Sequence, residues 1–192
     1  MTTLHRNRTH AQGEAPAEVG GNGARWAIGG FRILIGWTFL WAFFDKLLAL
    51  GYSTGRNPTT DKVDRFGPDA WIHGGNPTLG FLKFGADGPF KGFYHSIAGD
   101  TWTNYAFMLG LLAIGISLTF GIFNRLGTVG GVAMYLLLWT VVLPPANNPL
   151  TDEHVIGAVA VLVLGLIGAG RYVGVGSWWA KQPIVQRYPI LK

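Results

Sequence analysis

Asp152, Glu153 and His154 stand side by side in the stretch "NNPLTDEHVIGAVAVLVLGLIGAG", directly against a run that carries no charge. Two carboxylates and an imidazole in one place can relay protons, because an imidazole ordinarily changes charge near neutral pH and a carboxylate can orient it. The same residues can also cap a helix. Thr151 is of the N-cap type, and Asp152 and Glu153 in the first turn would each gain ~0.3–1 kcal/mol from the macrodipole. Capping leaves His154 and the Asn147, Asn148 pair without a role. Asp45 and Lys46 form a second polar group, at the end of another apolar segment, with Trp37 and Trp41 a turn or more deeper. If the two segments pack, one mouth gathers Asp45, Lys46, Asn147, Asn148, Asp152, Glu153 and His154 over an aromatic-lined cleft, and Trp139 joins Trp37 and Trp41 below it. Such a mouth suits a quinone headgroup, whose reduction takes two protons with two electrons. His154, Asp152 and Glu153 are then the candidate catalytic groups. The plainer reading is an ion pair of Lys46 with Asp152 or Glu153. Arg32 is a separate candidate. It sits about 9 Å along its helix from Trp26, with no acid on that half of any apolar segment to pair with it. It either reaches back to lipid phosphates or binds a carbonyl or an anionic group inside the bundle.

Four apolar segments must position these residues: residues 26–50, 105–123, 126–143 and 151–170. Each is close to the ~20 residues that cross a bilayer. The last is the shortest uncharged run, so its polar start falls in the interface. The expectation is an all-α integral membrane four-helix bundle, residues 25–174, between an N-terminal tail (1–24) and a C-terminal tail (175–192). Asn124 and Arg125 make a tight turn, so the second and third segments are antiparallel neighbours. The connection from 51 to 103 is too long for a plain linker. Within it, Phe90, Phe93, Tyr94 and Ile97 recur at helical spacing, and Leu79, Phe81 and Leu82 follow Pro77. Both read as short interfacial helices lying on the bundle. Trp71, Trp102 and Tyr105 fit an aromatic belt. Gly127 with Gly131, and Gly165 with Ala169, allow close helix packing.

Charge sets the orientation. Of 192 residues only 13% are charged, about half the soluble share, and 29 are glycine. The side holding both termini carries eight basic and two acidic residues; the side of the long loop carries six basic and eight acidic. Positive-inside placement puts both termini in the cytoplasm and the mouth outside. The N-terminal tail lacks the apolar core of a secretory signal. The absence of cysteine excludes disulfides, thiolate-held iron–sulfur clusters and covalent haem. Among the histidines, His5 and His10 fall in the tail and His73 and His95 in the long loop, so no haem pair or metal site is evident. No phosphate-binding loop or dinucleotide fingerprint appears, and "GVGSWW" reads as a helix end. Nothing points to nucleic acid.

The segments "RILIGWTFLWAFFDK", "FGPDAWIHGGNPTLGFL" and, above all, "NNPLTDEHVIGAVAVLVLGLIGAGRYVGVGSWW" resemble the DoxX/DoxD family of small four-helix membrane proteins, over residues 25–179. The resemblance implies a prokaryotic plasma-membrane protein. It also implies a thiosulfate:quinone oxidoreductase membrane subunit that works beside a second, DoxA-like subunit and passes electrons from thiosulfate to quinone. The alternative is a non-catalytic accessory subunit that docks onto a larger respiratory or redox complex through its glycine-rich faces; a homo-oligomer is also compatible. A small transporter is disfavoured, since no inverted repeat or broken helix pair is visible.

Overall fold

The computed structural model describes residues 20–146, 148 and 151–192. The site candidate Asn147, and most of the expected N-terminal tail, lie outside the described residues. Regular structure among those described is helical, apart from one isolated bridge between Arg56 and Val63. Four long helices dominate: α1 (Asn22–Leu48), then, after the short α2 (Leu79–Phe84) and α3 (Lys91–Ile97), α4 (Thr101–Phe120), α5 (Asn124–Val141) and α6 (Glu153–Leu166). Two more short helices, α7 (Gly176–Trp179) and α8 (Pro183–Arg187), follow near the C-terminus. Two helices, α1 and α4, are long and apolar enough to cross a membrane, while α6 is apolar but shorter. In α5 a polar first turn, Asn124 and Arg125, and the interior Thr128 and Tyr135 dilute the apolar run.

α1 packs along α4, α4 along α5, and α5 along α6, with a lighter contact of α6 back on α1. The core they enclose is built from Ile35, Phe39 and Phe43 of α1, Met108, Leu111, Ile114 and Leu118 of α4, and Val161 and Leu164 of α6. Glycine lets the first two helices touch. A Cβ on Gly36 would sit 2.5 Å from the Thr119 amide nitrogen, and one on Gly115 would sit 2.9 Å from the Leu40 amide nitrogen. Gly127, Gly131 and Gly165 face Ser117, Val161 and Thr128 of neighbouring helices in the same chain, so these close approaches are internal. The outward faces are apolar as well: Leu34 and Trp37 on α1, Leu109 on α4, Val129 and Leu137 on α5, and Ile156 and Leu166 on α6 are all exposed.

The turn between α4 and α5 is Gly121-Ile122-Phe123, not Asn124-Arg125, which already belong to α5. Gly121 takes the left-handed conformation (φ +78°) that ends α4, and its amide donates to Ser117 O at 2.9 Å. The Ser117 hydroxyl ties the turn down by donating to Ile122 O at 2.7 Å. The two short helices expected in the long connection are present as α2 and α3. Residues 175–192, expected as a tail, form an ordered plate. Trp179 packs on Phe123 with ring centroids 4.6 Å apart, and the Arg125 amide donates to Lys192 O at 2.9 Å. Val185 is fully buried beneath it.

Candidate functional site

The polar start of α6 is built around Asp152. Its backbone is extended (φ −138°, ψ −171°), so Asp152, rather than Thr151, takes the N-cap position. Its carboxylate accepts from the amides of His154 (3.0 Å) and Val155 (3.1 Å). Two of the orphan donors at the helix start are thereby satisfied. The other carboxylate oxygen lies 2.7 Å from His154 Nδ1. Burial pushes the Asp152 carboxyl up, but the bonds from His154 and the two amides outweigh it and hold the group below the usual carboxylate range. Capping and site-building are therefore one structure: the residue that starts the helix also fixes the imidazole. Glu153 is exposed, and its carboxylate falls within 4.8 Å of the ligand atoms of Asp152 and His154. The Asn148 side chain accepts from the Thr151 amide at 3.2 Å and so shapes the approach to the helix.

His154, engaged at Nδ1 by Asp152, lines a cleft. This cleft has a volume of about 650 Å³ and lies among α1, α4, α5 and the start of α6. Its walls are Phe39, Ala42, Phe107, Leu111 and Leu138, and its roof comes from the long connection, including Ser53, Arg56, Asn76 and Phe81. Lys46 lines it too, so the structure joins two polar groups that lie far apart in the chain. Lys46 does not pair with Asp152 or Glu153; its ammonium donates to the Ser53 hydroxyl at 3.0 Å.

Asp45 has a different task. It is 1% exposed, and its carboxylate accepts from the Tyr52 amide (3.1 Å), the Ser53 amide (2.9 Å) and the Ser53 hydroxyl (2.6 Å). It thereby folds the roof back over the end of α1. A second anchor, Asn104 of α4, accepts from the Thr78 amide and hydroxyl (3.2 and 2.6 Å). Trp37 and Trp41 turn away from the cleft. Together with Thr38 they line a shallow outer groove, and Trp41 packs on Tyr52 at 5.0 Å. Periodicity explains this, since Phe39 and Ala42 occupy the inward face and the tryptophans the adjacent outer one.

Arg32 is not part of the mouth. It belongs to the first half of α1, whereas Asp45 and Lys46 close the helix at its other end. The Arg32 side chain is fully buried, and its guanidinium donates to the carbonyls of Leu118, Tyr172 (3.3 Å) and Val173 (2.5 Å). The carbonyls Arg32 binds are thus the chain's own. Those of the last turn of α4 lack helical partners and carry the negative end of the dipole.

Tyr135 is a lining residue that the sequence pattern did not single out. Its ring lies edge-on to Phe39 at 5.1 Å and covers Gly157, where a Cβ would come within 2.6 Å of it. Thr38, whose hydroxyl donates to Ile35 O at 2.7 Å, lines the same cleft. Gly157 follows His154 by one turn, so one face of α6 presents both the imidazole and the floor under Tyr135. No protein-family model, curated protein or solved structure matches this chain.

Proposed function

We propose that the chain is a four-span membrane protein of DoxX/DoxD type. In this reading it is a quinone-linked oxidoreductase subunit whose quinone headgroup enters the cleft under the roof of the long connection. The observation that carries this reading is the His154 ring, held at Nδ1 by Asp152 and lining a cleft of mixed polar and apolar walls that Tyr135 also lines. A volume near 650 Å³ accommodates a single aromatic ring with part of its tail. The spanning reading is supported by the apolar outward faces of all four long helices, which in water would form a very large exposed patch. The loop side carries eight of the ten acids, which supports placing it outside.

The chemistry follows from the imidazole. A neutral ring with Nδ1–H on Asp152 presents Nε2 as an acceptor to a quinol hydroxyl. A protonated ring presents Nε2–H to a quinone carbonyl, and the Asp152 carboxylate stabilises the cation. His154 thus carries a proton between the outer surface and one quinone oxygen, and the Tyr135 hydroxyl can hold a second polar contact. Reduction of quinone to quinol consumes two electrons and two protons. The electrons come from a donor substrate such as thiosulfate, through a second subunit.

Purification in mild detergent, followed by an absorption spectrum and quinone extraction, tests the proposal. The expected result is a stoichiometric amount of extractable quinone. A clean spectrum with a co-purifying membrane complex would instead favour an accessory subunit.

A further inference from the structure

We propose that the C-terminal plate, residues 176–191, is a binding surface for anionic phospholipid headgroups; this rests on the membrane reading above. Three observations converge on it. The plate is held in place: Val185 is fully buried, Trp179 packs on Phe123, and the Trp179 indole donates to Leu191 O at 2.7 Å. Its outer face shows an amphipathic set, with Trp178 61%, Ile184 54%, Tyr188 50% and Ile190 55% exposed. Aromatic and aliphatic groups at a helix-bundle end suit the headgroup layer, where rings sit with one edge apolar and one wet.

Charge selects the kind of lipid. Arg125, Arg171, Lys181, Arg187 and Lys192 are exposed at this end. The described residues of the same end, 20–35, 117–130 and 165–192, include no aspartate or glutamate. Arg187 lies over the Tyr188 ring at 5.6 Å, so a cation and an aromatic ring are presented together. A neutral headgroup layer would be met equally well by the aromatics alone. The concentration of cations, with no carboxylate side chain beside them among the described residues and only Glu14 and Glu18 elsewhere on that side, calls for an anionic one. A preorganised surface also loses little side-chain freedom on binding, unlike a flexible basic tail.

The test places the full chain in nanodiscs of phosphatidylcholine. A minor fraction of either brominated phosphatidylglycerol or brominated phosphatidylcholine is added. The signal of one tryptophan is read as the difference between the protein and its Trp178→Phe variant, and in the same way for Trp37→Phe. Brominated phosphatidylglycerol should quench Trp178 at a mole fraction at least about five-fold lower than brominated phosphatidylcholine does, the factor that one basic residue near an anionic surface is worth. That preference should collapse in high salt and in the Lys181→Gln, Arg187→Gln double variant. Trp37, exposed on the flank of α1, should be quenched alike by both lipids. Equal quenching of Trp178 by the two lipids, with Trp37 quenched, overturns the plate proposal and leaves the membrane reading standing. An unquenched Trp37 overturns both.

Discussion

Asp152 combines two tasks that sequence alone separates. As N-cap it satisfies the first amides of α6, and as a hydrogen-bond partner it fixes His154. Asp152→Ala should therefore cost about 1–2 kcal/mol of stability, the usual worth of a cap, whereas His154→Ala should leave the melting temperature nearly unchanged and abolish quinone binding. Thermal melts and quinone titrations on the two variants separate the roles, and normal quinone binding by His154→Ala would reduce the cluster to a cap. The pH dependence has a definite sign. The folded Asp152 carboxyl is held below its ordinary value. Its contribution is therefore complete above the unfolded value, near about 3.9, and is lost as pH falls through the lower folded value. The stability gap between the protein and Asp152→Asn should be full and constant above about pH 4 and should close as pH falls below it; a gap that stays the same through the acid range would contradict this. The residue types at this end of α6 were legible, but the choice between Thr151 and Asp152 as cap was not, since both are cap-forming and only the backbone dihedral decides. Tyr135 was invisible for another reason. A single tyrosine in an apolar helix looks like core until the partner glycine, Gly157, is known.

Among the elements, Arg32 ties three segments together: α1, the end of α4, and the extended turn after residue 171. Arg32→Leu should destabilise the fold by more than about 3 kcal/mol, because several buried carbonyls lose their donor at ~1–3 kcal/mol each. Arg32→Lys should rescue little, as one ammonium cannot match the fork of a guanidinium. Gly36→Val should separate α1 from α4, since the new side chain would meet the Thr119 backbone. Denaturation of each variant in detergent checks these outcomes, and near-native stability of Arg32→Leu would refute the tie. The long helices were legible as apolar runs of about 20 residues, α2 as a short apolar piece after Pro77, and α3 through the helical spacing of Phe90, Phe93, Tyr94 and Ile97. The plate after residue 175 was not. Its helices, α7 and α8, are too short to show a period, with Pro183 opening α8 and Pro189 following it, and their order comes from tertiary contacts with Phe123 and Arg125.

Taken whole, the molecule in the proposed orientation is a bundle with an outer mouth, roofed by residues 51–81, and an inner basic plate. The chain has no cysteine, so single cysteines report topology cleanly. One placed at Thr60 should react with an impermeant thiol reagent in intact cells, and one at Gln186 should not; reaction at Gln186 would invert or abolish the proposed orientation. The union of Lys46 and His154 in one cleft was legible only on the condition that the two segments pack, because it depends on the order in which the helices pack. Where a quinone sits decides whether that cleft is a redox site. A photoreactive quinone analogue, illuminated with the purified protein and mapped by mass spectrometry, should label the cleft segments around residues 39–46, 107–111, 135–138 and 154. Tyr135→Trp, which fills the space beside Gly157, should suppress that labelling while the protein remains folded. Labelling confined to the outer groove of Trp37 and Trp41, or labelling of the cleft that Tyr135→Trp leaves unchanged, would refute quinone binding beside His154.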